Sequence, residues 1–399
     1  MKDFNYNDLI KLTIFLNLII FDKKLSLSSF VINPFFSPFR SSILSNELNK
    51  SDIFSEGRKY LDKCLNSSNH QKYKLLEKPK ITVIVPLYNC ERTIEAALHS
   101  IQYQNISKFE MILINDFSKD NTSQIIENYQ KNDHRIIILN NRKNMGTLYS
   151  RSIGALIAKG EYIFSLDNDD LFFNNDIFDF IYKKGKKENL DIIGFLAINL
   201  WNYTANITRM KDIYTYQYPD EFYLEQPELG IWMIKFNDKF LIHNNMIWDK
   251  CVKTSIYKKA VKSLGFKKYS QFLSWAEDTS INYVILTLSQ NFKYFHKYGV
   301  AHFKGNITAS RTQPTDTKLF GEIFLLDIIF DFSRNNIEEK NLIIDQAIYI
   351  YKRYKIYKYI NDTNSNYLKS VLKKIINCEY LSKLNNRKLK KIFSDFFIY

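Results

Sequence analysis

From Ile81 onward, short β-branched and aromatic runs alternate with stretches whose apolar residues recur every three or four positions. Ile81–Val85, Phe109–Ile114, Ile136–Leu139, Tyr162–Leu166 and Asp191–Phe195 have the make-up of buried strands. Between them, helical spacing is carried by Ile94, Ala97, Leu98 and Ile101, by Ile125, Ile126 and Tyr129, by Leu148 to Ala158 with Gly160 after it, and by Ile177 to Lys187. This rhythm predicts an α/β fold: a mostly parallel sheet flanked by helices. Before it lie two helical patterns, Leu9 to Phe21 and Asp52 to Leu65, separated by a Ser/Pro/Phe-rich loop. After Leu319 the pattern is again helical and increasingly basic.

In such sheets ligands bind beyond the carboxyl ends of the strands. The polar residues just past those ends are Tyr88 and Asn89, then Asn115 and Asp116, then Asn144 and Gly146, and finally Asp167, Asn168, Asp169 and Asp170. Three carboxylates at one strand end repel one another unless a cation sits among them. The suitable ion is hard and divalent, Mn²⁺ or Mg²⁺, held by one or two carboxylates and completed by water and substrate phosphates. That predicts a metal–diphosphate site, although the same residue types also build turns and helix caps. No G-x-G-x-x-G or Walker loop occurs, which disfavours dinucleotide oxidoreductases and P-loop enzymes.

The chain has 399 residues, enough for two or three units. Its formal net charge of +14 invites a nucleic-acid reading, but the lysines run along the whole chain among Ile, Asn, Tyr and Phe, so no nucleic-acid partner is expected. A basic surface equally attracts anionic lipid or an acidic glycan. Cys64, Cys90, Cys251 and Cys378 lie far apart, without zinc or disulfide-framework spacing. The first apolar run contains Lys11 and Asn17 and lacks the flank of a secretory signal. A cytoplasmic protein, in solution or peripheral at a membrane surface, is the expectation.

On these residues, the region from Lys80 to about Phe195 resembles the nucleotide-binding half of the family 2 inverting glycosyltransferases, with a GT-A, Rossmann-like fold. The matching pieces are Ile-Val-Pro-Leu-Tyr-Asn (84–89), Asn-Asp-Phe-Ser-Lys-Asp (115–120), Asn-Met-Gly-Thr-Leu-Tyr-Ser-Arg (144–151), Lys-Gly-Glu-Tyr-Ile (159–163) and Leu-Asp-Asn-Asp-Asp (166–170). A weaker likeness continues through Trp248-Asp-Lys250, Trp275-Ala-Glu-Asp278 and His302-Phe-Lys304. The resemblance implies that Pro86 and Tyr88 pack on the nucleotide base, that Asp116 accepts a hydrogen bond from it, and that Arg151 shapes the donor site. Asp167 and Asp169 match the D-x-D pair, the second being the metal contact. The family usually has two carboxylates where this chain has Asn115 and Asp116.

An inverting transfer needs one general base to take the acceptor's proton. Glu277 and Asp278 precede a helical run, where acids are favoured by the dipole in any case. The match to the family's Glu-Asp element implies Asp278 as base, with Glu277 positioning the acceptor or the helix. In several GT-A enzymes a downstream His completes the metal shell, which His302 would do here; a lone His is more often simply packed. Trp248 and Trp275 could form an acceptor platform or lie in the core. The implied organisation is a helical extension (1–79), a nucleotide-sugar-binding half (80–200), an acceptor and catalytic-base half (201–312) and a C-terminal helical region (313–399). The implied function is metal-dependent transfer of one sugar from a nucleotide diphosphate, taken as a UDP-sugar, to a hydroxyl of a glycan, protein or lipid. The rivals are a degenerate donor-binding scaffold, encouraged by Asn115, and a nucleotidyltransferase, which would want a Gly-rich basic loop after the first strand. The amphipathic stretch Leu384, Leu389, Ile392 and Phe396 reads as a solvated helix face or a membrane foot.

Overall fold

A computed structural model describes Lys59 and residues 78–201, 209–212, 223–225, 235–236, 239–240, 246–273, 275–303, 315–333, 337–356 and 362–377. All lie in the unit Phe54–Tyr399; the predicted helix from Leu9 to Phe21 and the stretch from Leu384 to Phe396 fall outside the described residues.

The predicted alternation is present as β1 (Ile81–Leu87), α1 (Ile94–Gln102), β2 (Phe109–Asn115), α2 (Thr122–Asn132), β3 (Ile136–Asn140), α3 (Thr147–Ile157), β4 (Tyr162–Ser165), β5 (Leu171–Phe172), α4 (Ile177–Glu188) and β6 (Ile192–Trp201). The short strands β7 (Arg209–Asp212), β8 (Tyr223–Glu225), β9 (Lys235–Phe236) and β10 (Lys239–Phe240) follow. The later part adds β11 (Lys250–Lys253), α5 (Thr254–Leu264), α6 (Phe266–Tyr269), α7 (Glu277–Leu288) and β12 (Asn291–Phe303). Three long helices, α8 (Thr315–Phe332), α9 (Ile337–Ile356) and α10 (Asp362–Ile376), come last.

Among the described residues one sheet runs β3-β2-β1-β4-β11-β6-β12-β5, with β7 on β6 and β8 on β12. The pairs β3–β2, β2–β1, β1–β4 and β6–β12 are parallel, whereas β11 is antiparallel to both its neighbours. Both faces are covered, so the strands read as continuous apolar runs. Ile84, Ile112 and Ile114 join the helices α5, α7 and α8 in one core; Val83, Val85, Met111 and Leu113 face α1 and α4 in the other.

The strand predicted to stop at Phe195 continues to Trp201. It can do so because β11 and β12 flank it on either side, so Ala197, Ile198 and Leu200 are buried as well. The two halves read from the sequence therefore share a single sheet. Close approach accounts for Gly160: a Cβ there would lie 2.5 Å from the Thr82 backbone nitrogen. Among the described residues no helix is long and apolar enough to cross a membrane.

Candidate active site

The acidic run leaves β4 as a tight turn, with the Asp170 amide donating to the Asp167 carbonyl at 3.1 Å. Aromatic rings anchor both ends. Phe164 from β4 and Phe172 from β5 meet edge to face at 5.2 Å, and Phe172 meets Phe178 of α4 at 4.8 Å. Such pairs add about 0.5–1.5 kcal/mol each beyond their burial. The Asn168 amide donates to the Pro86 carbonyl at 3.0 Å, strapping the turn to the end of β1. Asp170 is fully buried and accepts from the Phe303 amide at 2.9 Å and from His302 Nδ1 at 2.9 Å, tying the turn to β12.

This leaves Asp167 and Asp169 facing the rim, and their surroundings differ. Asp167 pairs with Arg151 of α3. Asp169 is pushed up to about 7, first by burial and then by repulsion from Asp170 and Asp167. Among the described residues no three His, Cys, Asp or Glu side chains converge to hold a metal by themselves. The donor set fits the other mode open to Mn²⁺ or Mg²⁺, in which one or two carboxylates bind and substrate phosphates complete the shell. Asp169, crowded by like charge, is the side chain a cation would relieve. The His302 ring instead stacks on Trp248 at 4.8 Å and 10°. Burial opposes its charge, yet Asp170, Asp167 and Asp169 outweigh that and raise it to about 9. His302 is thus held on both sides, with Nδ1 against Asp170 and the ring against Trp248.

Arg151 is the hub. It is 2% exposed, and its guanidinium reaches Asp167 on one side and Asp278 at the start of α7 on the other. Burial works against its charge, but Asp278 and Asp167 raise its pKa regardless. Asp278 is pushed up to about 6, chiefly by burial and despite the pull of Arg151, while Glu277 is raised to about 7 by burial and by Asp278. The preceding residue, Ala276, sits at φ 62°, an uncommon conformation for a residue with a Cβ and one that recurs at functional sites. Lys250 of β11, paired with Asp249 at 2.5 Å in the interior, lies close enough to draw the Asp278 pKa down.

Several sequence expectations change here. Pro86 is buried within β1, so the side chains its loop exposes are Tyr88 and Asn89. Asp116 is buried and its carboxylate already accepts from Asn141 Nδ2 at 2.7 Å and from the Met145 and Gly146 amides at 2.8 Å each. It builds the loop entering α3, where Gly146 has φ 85°. Asn115 is likewise committed, accepting from the Ser118 amide and donating to Asn140, which gives this departure from the family pattern a structural task. Trp248 is only 5% exposed and belongs to the core, so it offers no platform to an acceptor. Trp275 is half-buried, with the Lys318 ammonium 5.2 Å from its ring centre.

Sequence reasoning placed Asn168 at the rim without giving it a task, and it passed over Phe117 and Asn141. Phe117 is exposed beside Tyr88's loop at φ 69°, with the Lys119 ammonium 3.4 Å from its ring centre. Only its place just past β2 could have marked it; nothing local distinguishes Asn141.

A mixed, mostly parallel sheet with an acidic turn and donor-side loops on one rim defines a GT-A fold. The fold is similar to that of S. aureus TarS residues 1–349, solved in complex with UDP-GlcNAc: TM-score 0.57, 15% identity, 80% of this chain and 89% of that one. Residues 82–246 match the model of Glycosyl transferase family 2, and they form a domain of that family. Among its relatives, the uncharacterized glycosyltransferase EpsJ of Bacillus subtilis is 35% identical over 116 residues, 29% of this chain and 33% of its own. The cholesterol galactosyltransferase of Borreliella burgdorferi is 34% identical over 132 residues, 32% of this chain and 36% of its own. The GalNAc(5)-diNAcBac-PP-undecaprenol beta-1,3-glucosyltransferase of Campylobacter jejuni is 39% identical over 93 residues, 23% of this chain and 30% of its own. The likeness thus spans about a third of each relative's length.

Proposed function

We propose that this protein transfers a single sugar from a nucleoside-diphosphate donor, a UDP-sugar, to a hydroxyl of a glycan, protein or lipid with inversion at the anomeric carbon. One observation carries the reading: Arg151 joins Asp167 of the acidic turn to Asp278 of α7, so the D-x-D and Glu-Asp elements stand at one place. Asp169, with Asp167 beside it, is the side chain to hold Mn²⁺ or Mg²⁺ against the diphosphate. When bound, the ion supplies Lewis-acid stabilisation of charge growing on the leaving group. Asp278 takes the acceptor's proton. One of its oxygens is held by Arg151, which orients the carboxylate, and its raised pKa brings it nearer the ideal for a base at neutral pH. Glu277 holds the acceptor or the helix start. Tyr88 and Phe117 are the exposed rings on which the base would lie.

The choice of uridine draws on TarS, solved with UDP and UDP-GlcNAc, and the glycan or lipid acceptor on the cholesterol and undecaprenol-linked relatives. The test is a panel of nucleotide sugars with Mn²⁺, read by calorimetry and by donor hydrolysis. UDP and one UDP-sugar should bind in a way that chelator weakens, with slow hydrolysis. A protein that binds UDP but never turns a donor over would be the scaffold. If no nucleotide of the panel binds, the donor reading fails.

A further inference from the structure

From Lys250 to Ala276 the chain has seven lysines and no aspartate or glutamate. Three of the seven are neutralised in the fold: Lys250 by Asp249, Lys253 by Asp191, and Lys268 by Asp327 and Asp331. Lys258, Lys259, Lys262 and Lys267 have no carboxylate within ion-pair distance among the described residues. Lys258, Lys259 and Lys262 recur at helical spacing on α5, and Lys267 follows on α6. Ser255, Lys258, Lys259, Lys262 and Ser263 line one shallow recess on α5, opposite the buried Tyr257, Ala260, Val261 and Leu264.

The second observation is apolar. Gly265, at φ 80°, breaks α5 and turns the chain into α6, whose first residue Phe266 is 65% exposed. Phe272 follows at 53%, and these are the two most exposed large hydrophobic residues described. Burying them would recover free energy that water denies them, yet the fold leaves both out beside uncompensated lysines. Basic residues with aromatic rings at their margin match a surface presenting anionic headgroups over an apolar layer. A soluble polyanion would use the lysines and have no use for Phe266.

We propose that the face formed by α5 and α6, with Lys258, Lys259, Lys262, Lys267 and Phe266, docks on an anionic lipid surface. The face stands independently of the transferase reading, but it bears on it. Phe272 lies against Gly146, where a Cβ would be 3.3 Å from its ring, so docking sets the loop entering α3 close to the lipid.

The experiment is sedimentation of the full chain with vesicles of phosphatidylcholine alone and with vesicles enriched in phosphatidylglycerol, beside binding to heparin as a soluble polyanion. The parent should pellet with the anionic vesicles only and be released by salt. Each reversal, Lys258→Glu, Lys259→Glu or Lys262→Glu, should weaken vesicle binding by at least about fivefold, the scale of one basic residue at such a surface. Phe266→Ser should weaken vesicle binding on the order of tenfold and leave heparin binding unchanged. Lys131→Glu on α2, which changes net charge equally, should have little effect, and circular dichroism melts should show every variant folded. Equal binding to both vesicle types overturns the proposal, as does equal weakening by Lys131→Glu. If Phe266→Ser binds vesicles like the parent, the face reads polyanions and not lipid.

Discussion

Replacing Arg151 with Met tests the centre of the proposed site. Met keeps most of the buried stem and removes the guanidinium, so Asp167 and Asp278 lose their shared countercharge without a large cavity opening. Breaking a fully buried ion pair costs about 3–5 kcal/mol. Here the two carboxylates are 28% and 24% exposed and water screens them, so the loss should be about 2–3 kcal/mol. For domains of 150–250 residues each kcal/mol moves the midpoint by about 2–4 °C, which puts the fall at roughly 4–12 °C. The pH dependence has a definite sign. Without Arg151 the Asp278 pKa rises above its present value of about 6, because the guanidinium is what pulls it down. Below about pH 6 the Asp278 carboxyl is protonated in both folded proteins, so its share of the deficit should be absent there and should grow as pH rises through that value, where only the parent's carboxyl ionises readily. The acid limb of the transfer rate should move to higher pH in step. Adding Asp278→Asn should return part of the stability, since one stranded charge is gone. Melts and pH–rate profiles of the two variants decide it. If Arg151→Met melts with the parent and keeps an acid limb near 6, the guanidinium does not hold these carboxylates.

Asp278→Asn alone keeps shape and hydrogen bonding but removes the proton acceptor, so transfer should fall by about 10²–10⁴-fold with UDP affinity unchanged; near-normal turnover would move the base to Glu277. Asp169→Asn should abolish the Mn²⁺-dependent part of UDP binding in calorimetry while the protein still melts cooperatively, and metal-dependent affinity equal to the parent's would remove the metal assignment. Trp248→Ala should lose about 3–5 kcal/mol in chemical denaturation, as truncation of a buried aromatic does. A variant of parental stability that has lost only acceptor binding would return the indole to a platform role.

The sheet was legible because both its faces are buried. Strands such as Ile81–Leu87 and Phe109–Asn115 are near-continuous apolar runs, and the helices between them have 3.6-residue spacing, so element type, order and the shared rim follow from local pattern. The acidic turn was legible for a related reason: three carboxylates directly after a buried strand mark the rim, whether they hold a cation or only build the turn. Roles were harder, since composition does not say which oxygen is already taken. Asp116 reads like a free acid in the sequence, yet its carboxylate accepts from three N–H donors of a loop up to 30 residues away, two on Oδ1 and one on Oδ2. Pro86 and Trp248 look available until β2, the Asn168 amide and the His302 ring close over them.

What the sequence by itself determined is the α/β class, the succession of strands and helices along the chain up to β4 and the residue types at the rim, because continuous apolar runs and 3.6-residue spacing are local patterns. Tertiary structure alone decided that β11 and β12 slot in on either side of β6, bringing α7 to the rim and Asp278, 127 residues away in the chain, to Arg151. It also decided which of the seven lysines between Lys250 and Ala276 are neutralised. Pairings of that range have no period in the sequence, because charge and burial depend on what the rest of the chain places alongside.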